Sequence, residues 1–268
     1  MGFLADIVRE TKEAVASPQY VHGLPTDRPR TPPSLRAAVE REASHGALLV
    51  EYKRVSPGQP DPVLPQRSVN EFVRATDTAG VCGYSCLAAQ PRFRGSPSDV
   101  AELVRTTPRP VLFKEFVLGF RQLDVAVRTG ASAVLLIARL ETEGYLDVPL
   151  ETLCRGAHDR GLEVLLEWHA RSELSATGGV AADMYGVNVR DLDSLSIDRP
   201  TADATFEAAR AAGRRPLLGL SGVEGAADAE RFWARGADGI LIGSAVARAA
   251  DPRAFLTSLR RPPTGGRP

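Results

Sequence analysis

Pro110-Val-Leu-Phe-Lys-Glu-Phe116 decides how this chain is read. Its apolar run, Val111 to Phe113, ends directly on Lys114. So short an apolar run, followed by a helical pattern from Phe120, fits a strand buried on both faces of a parallel sheet. Lys114 also stands out by composition. Of 33 Lys and Arg residues only Lys12, Lys53 and Lys114 are lysines, leaving 30 arginines. Arginine stays protonated, whereas a desolvated ammonium can act as an acid. We read Lys53 and Lys114, each at a strand end, as chemical groups, and Lys12 as a surface charge.

Working outward, the same pattern recurs. Short apolar runs at 47–52, 81–87, 110–115, 132–137, 162–167, 183–188, 216–220 and 239–242 read as strands. Helical patterns lie between them at 69–78, 98–105, 120–129, 149–160, 170–176, 202–212 and 225–235, with more near Ala245 and over 252–260. Eight strand–helix units in 268 residues predict an α/β fold, a closed (β/α)8 TIM barrel. A doubly wound open sheet is the runner-up, weakened because no Gly-rich dinucleotide fingerprint follows the first strand. We expect one domain: a helical extension over 1–44, the barrel over 45–260 and a frayed tail over 261–268. In the extension, Phe3, Ile7, Val8 and Thr11 share one helical side, residues 24–33 are too rich in proline for helix or central strand, and Ser34 caps a second helix.

Composition narrows the function. Formal net charge is +0 and pI about 6.9, which leaves no electrostatic footprint for nucleic acid or an anionic membrane. No apolar run approaches the ~20 residues of a membrane span. The first ten residues are amphipathic and acidic, unlike a secretory signal. Cys82, Cys86 and Cys154 give neither a disulfide framework nor zinc spacing, so a reducing, cytoplasmic compartment is expected. Period-two alternation puts Cys82 and Cys86 on one strand face as buried packing. No histidine pair has metal-ligand spacing, and no metal is expected.

Barrel chemistry gathers at the carboxyl ends of the strands. Collecting ionisable residues there gives Glu51 and Lys53 on one face of the first strand, Lys114 on the third, Glu167 followed by His169 on the fifth, and Asn188 with Arg190 on the sixth. The seventh and eighth strands instead end in small residues, Ser221-Gly222 and Gly243-Ser244, whose backbone N–H groups suit a phosphate. Lys53 and Ser56 would close that cradle from the first strand.

Together, Glu51-Tyr-Lys-Arg54 with Ser56-Pro57, Phe113-Lys-Glu-Phe116, Leu166-Glu-Trp-His169, Gly186-Val-Asn-Val-Arg-Asp-Leu192, Ser221-Gly222 and Ile242-Gly-Ser244 resemble the indole-3-glycerol phosphate synthase family. The likeness runs from the leading helix to about Leu259. It implies a barrel with an amino-terminal extension, no cofactor or metal, a monomer or weak homo-oligomer, and a small phosphosugar-aryl substrate. The implied reaction is ring closure, decarboxylation and dehydration in tryptophan biosynthesis. Lys114 would be the acid, with Glu51, Glu167, Lys53 and Asn188 as its catalytic company. Ser56, Pro57, Phe93, Phe116, Leu135, Ile137, Arg190, Leu192 and Ser221 would bind substrate, and Lys53, Ser56, Gly222, Gly243 and Ser244 the phosphate.

Two positions depart from the family pattern. Leu220 stands where a Glu usually precedes Ser-Gly, and Ala88-Ala89-Gln90 replaces a Thr followed by an acid. These suggest a paralogue for a substituted anthranilate-derived substrate as an alternative. A catalytically degenerate barrel and a phosphosugar isomerase are the other classes. Retention of both lysines and both acids opposes the former, and the third-strand lysine opposes the latter.

Overall fold

A computed structural model describes residues 2–55 and 68–261. Ser56 and Pro57, assigned above to substrate and phosphate, lie outside the described residues, as do tail residues 262–268. The strands are β1 (Ala47–Tyr52), β2 (Val81–Leu87), β3 (Val111–Lys114), β4 (Ala133–Ile137), β5 (Glu163–Trp168), β6 (Met184–Asn188), β7 (Leu217–Leu220) and β8 (Gly239–Ile242). They close in sequence order into one parallel barrel, with β8 paired back to β1. The closed barrel, not the open sheet, is the fold. Closure leaves no sheet edge to protect.

Alternation along each strand separates two cores. Leu49, Leu112, Leu135, Leu165, Met184, Leu218 and Leu241 belong to one buried cluster inside the barrel. Val50, Phe113, Leu136, Leu166, Val187 and Ile240 belong to the other, between strands and helices. With both faces buried, the strands carry apolar side chains throughout instead of alternating with polar ones. One expectation fails here. Cys82 joins the inner cluster and Cys86 the outer one. The β1–β2 register shifts between Leu48 and Leu49, so Val81 pairs with Leu48 but Gly83 with Leu49. One extra residue in β2 reverses the parity that period two assumes.

Local signals explain the surrounding helices. These are α1 (Phe3–Ala16), α2 (Leu35–Glu42), α3 (Val69–Thr76), α4 (Pro97–Thr106), α5 (Phe120–Thr129), α6 (Ala138–Thr142), α7 (Leu150–Asp159), α8 (Arg171–Thr177), α9 (Arg199–Ala211), α10 (Ala226–Ala234), α11 (Ser244–Arg248) and α12 (Pro252–Ser258). Ser68 and Glu71 form a capping box on α3, and Ser96 caps α4 ahead of Pro97. The single turn α6 has no capping side chain and follows β4 directly, so the sequence offered no start signal for it.

The extension splits between the two ends of the barrel. At the amino-terminal end, Leu35 and Val39 of α2 enter the inner cluster. Glu163, the first residue of β5, accepts the Leu35 and Arg36 amides at 2.7 and 2.9 Å. Ser34 caps this helix as expected, its hydroxyl accepting from the Ala37 amide. At the other end, α1 rests on the loops that follow the strands. Asp193, after β6, accepts the Leu4 amide at 3.2 Å, and Arg92, after β2, pairs with Glu10 at 2.8 Å. Residues 17–33 descend the outer wall between them. Arg128 donates to Pro25 O, Arg28 to Arg160 O and Arg30 to Thr107 O. The arm therefore runs beside the barrel, with α1 on the mouth and Tyr20 bonded to Glu115 just after β3.

Candidate active site

At the carboxyl ends of the strands one pocket gathers every expected site residue that the structure describes. The acids and lysines come from β1, β3 and β5. Glu51 and Lys53, two apart, both turn into the lumen. Lys53 Nζ lies 3.0 Å from Glu51 Oε1, and Lys114 Nζ lies 3.3 Å from Glu51 Oε2. Glu51 is therefore the common counter-ion of both lysines. Its burial favours the neutral acid, but Lys114 and Lys53 override that and bring its pKa down to about 2. Burial likewise opposes the Lys114 ammonium, and the charges of Glu51 and Glu167 more than restore it, so its pKa lies above the ordinary value. Lys114 is thus a fully protonated donor whose side chain remains one-fifth exposed (20%) to the pocket.

Glu167 lies on β5 and faces Lys114 across the lumen. Burial works against its charge, and His169, Lys114 and Asn188 together keep it a carboxylate. Its Oε2 is buried without a hydrogen-bond partner. Asn188 ends β6, and its Oδ1 accepts the Arg190 amide at 3.0 Å. That bond leaves the amide nitrogen for Glu167. Arg190 is steadied by Leu195, whose carbonyl accepts from Nη1 at 2.6 Å.

Beyond β6, β7 and β8 end in an open backbone, with β8 next to the β1 acid. Ser221 and Gly222 both adopt left-handed φ, 65° and 68°. Successive residues of this kind present amides towards an anion. A Cβ on Gly243 would lie 2.8 Å from Glu51 Oε1 and 3.4 Å from Lys53 Nζ. Only glycine lets the β8 loop approach this ion pair so closely. Ser244 follows at the start of α11 and also lines the pocket.

The remaining wall is apolar. Phe93, Phe116, Leu135, Ile137 and Leu192 line it as expected, and the Phe93 and Phe116 rings lie 6.2 Å apart. Phe3 and Leu195 line it too, and sequence reasoning missed both. The α1 periodicity marked a buried side without saying what it would cover. Leu220 occupies the wall at the β7 end, buried and packed above Gly186, whose added Cβ would meet its side chain at 2.6 Å. Ala88 and Ala89 do not line the pocket. Both are buried, so neither contributes a side chain to its rim.

Beneath Phe116 lies a further polar node. Glu115 turns away from Lys114 and accepts from the Tyr20 hydroxyl and from Gln122 Nε2 at 2.9 Å. Gln122 also donates to Phe116 O and accepts the Leu118 amide, clamping the loop after β3. Burial raises the Glu115 pKa to about 7, since both its partners are neutral. Among the described residues no group of three or more His, Cys, Asp or Glu side chains is arranged to hold a metal ion. No helix among them is long and apolar enough to cross a membrane.

Comparison with known proteins agrees with this geometry. The family model for indole-3-glycerol phosphate synthase matches residues 4–259. An indole-3-glycerol phosphate synthase from Thermococcus kodakarensis is 34% identical over 220 residues, covering 82% of this chain and 94% of the relative. Another, from Staphylococcus aureus strain Newman, is 30% identical over 263 residues and covers 97% and 98%. Among solved structures, the tryptophan synthase alpha subunit from Legionella pneumophila superposes with a TM-score of 0.60 at 15% identity, covering 84% of this chain and 96% of that one. That likeness is one of fold.

Proposed function

The chain belongs to the indole-3-glycerol phosphate synthase family, and from that membership we propose how its own residues carry the reaction. The reaction is carbon–carbon lyase chemistry. Carboxyphenylamino-deoxyribulose 5-phosphate loses carbon dioxide and water and becomes indole-3-glycerol phosphate.

The phosphate is held by the backbone at Gly222, Gly243 and Ser244 and by the Lys53 ammonium. Ser56 completes the cradle in this proposal. The aryl ring lies among Phe93, Phe116, Leu135, Ile137 and Leu192, with Pro57 assigned to the same wall. Asn188, Arg190 and Ser221 orient the sugar hydroxyls and the ring carboxylate. The carboxyl-bearing ring carbon then attacks the ribulose carbonyl, and Lys114 protonates the oxygen as the bond forms. The carbon–carboxyl bond breaks, carbon dioxide leaves, and the electron pair restores the aromatic ring. In dehydration Lys53 protonates the departing hydroxyl, the nitrogen lone pair expels it as water, and Glu167 takes the proton whose loss completes the indole. Glu51 holds both ammonium groups and offsets positive charge on the amine side. Solvent returns the protons to the lysines.

The observation that carries this reading is the placement of Lys114 and Lys53 on one buried carboxylate, directly beside the Gly243 backbone. Lys114→Ala should lower kcat on the ordinary ribulotide by about 10²–10⁴-fold while phosphate-ligand binding is kept. Loss of binding with chemistry intact at saturating substrate would remove Lys114 from this role.

Leu220 favours a second reading, a paralogue that takes a ring-substituted substrate, because it makes the β7 wall apolar. Higher kcat/KM for substituted than for plain ribulotides would establish it. Housekeeping rates on the plain substrate would dismiss it. We further propose a monomer or weak homo-oligomer in a reducing cytoplasm, in keeping with three buried free cysteines.

A further inference from the structure

We infer that His169 is a positioning residue, an imidazolium wedged between Glu167 and Glu173 that ties down one oxygen of Glu167 and leaves the other to meet the substrate. The inference rests on the reading of Glu167 as proton acceptor and extends it to groups that touch no substrate.

The geometry leaves little choice of charge state. His169 Nε2 lies 3.2 Å from Glu167 Oε1, and Nδ1 lies 3.4 Å from Glu173 Oε2, both ion-pair contacts outside hydrogen-bond geometry. Both carboxylates are acceptors only, so a neutral ring would turn a bare nitrogen lone pair towards one of them. A ring with both nitrogens protonated is attracted to each. His169, Glu167 and Glu173 are all buried, so these charges are barely screened by water. Burial opposes the imidazolium, but the two carboxylates outweigh it and lift its pKa to about 9.

The outer end of the wedge is anchored. Glu173 accepts the His169 backbone amide at 2.7 Å and the Arg139 Nε at 2.7 Å. Arg139 reaches on to Asp191 at 2.8 Å, and Asp191 accepts the Asp193 and Ser194 amides. Charge alternates along the chain: Glu167, His169, Glu173, Arg139, Asp191. On its inner side Glu167 faces Lys114 and the Asn188 amide, with Arg190 near Lys114. Lys114 is itself paired with Glu51. His169 is therefore the cation that belongs to Glu167 throughout turnover, when Lys114 has given its proton away. Glu167 Oε2, buried and without a hydrogen-bond partner, is the oxygen that His169 does not hold.

The pH profile of kcat/KM tests this in His169→Gln and Glu173→Gln. Loss of the cation should raise the acidic limb, set by Glu167, by about 1–3 units in His169→Gln. Glu173→Gln, which weakens the cation without removing it, should give a smaller rise in the same direction. KM at the plateau should change less than kcat. An acidic limb that stays in place in both variants overturns the inference. A second readout needs no variant: nitrogen NMR of the wild-type imidazole should show both His169 nitrogens protonated at neutral pH, and a neutral tautomer overturns it. Glu167→Gln separates the two claims. Retained activity there would sink the acceptor role of Glu167, whereas an inactive variant with unmoved limbs in the other two would sink only the role of His169.

Discussion

Lys114 Nζ lies 3.3 Å from Oε2 of Glu51, although β2 separates the strands that carry them. The carboxylate between them is shared, because its other oxygen holds Lys53 at 3.0 Å. Burial alone would push the Lys114 ammonium towards losing its proton. The buried acid reverses that and lies between two like charges that would otherwise repel each other.

Glu51→Gln should therefore act on the lysines as well as on the acid itself. The Lys114 pKa is raised in the intact site by Glu51 and Glu167 against burial. Without Glu51, burial and the Arg190 charge both push it down. The alkaline limb of the kcat profile should fall by about 1–3 units. A limb that stays in place would show that Glu51 does not govern the acid.

Gly243→Ala should damage anion binding in particular. The new methyl would lie 2.8 Å from Glu51 Oε1 and 3.4 Å from Lys53 Nζ, so the ion pair or the β8 loop must move. Inhibition by inorganic phosphate should weaken about tenfold, or ~1.4 kcal/mol. Unchanged inhibition would mean the phosphate binds elsewhere.

Glu115 links stability to pH. Burial raises its folded pKa to about 7 from an ordinary 4.5. Between those values the folded protein holds a proton that the unfolded chain has released. Its contribution is complete below the unfolded pKa and is lost as pH rises through the folded pKa, on the order of 3 kcal/mol in all. Glu115→Gln should flatten that decline in urea-unfolding curves taken across the window. A decline of the same slope in the variant would place its source in another group.

Glu163→Ala should cost stability without touching turnover. This carboxylate receives the first two amides of α2 at the end of the barrel opposite the chemistry. Losing a charged cap costs about 1–2 kcal/mol, visible in the urea midpoint. A fall in kcat with an unchanged midpoint would mean that α2 does more than plug the barrel.

Much of this is legible in the amino-acid sequence. The apolar runs ending at Lys53, Lys114, Glu167 and Asn188 identified the strands and the residues that share one pocket, because a barrel strand is buried on both faces and its carboxyl tip is where a charge can face the lumen. The parity of Cys82 was not legible, since a register shift leaves no mark in composition. Nor was α6, a single turn without a cap.

The chain alone determined its period, its strand ends and the chemical types available there, because these are local properties of side chains and backbone. Only the tertiary structure decided which charges share a partner: that Glu51 serves two lysines, that His169 lies between two acids, and that Phe3 from a distant helix joins the apolar wall of the pocket. Closure of β8 onto β1 brings far-separated residues into one pocket. Coulomb energies there depend on distances and burial that no linear spacing contains.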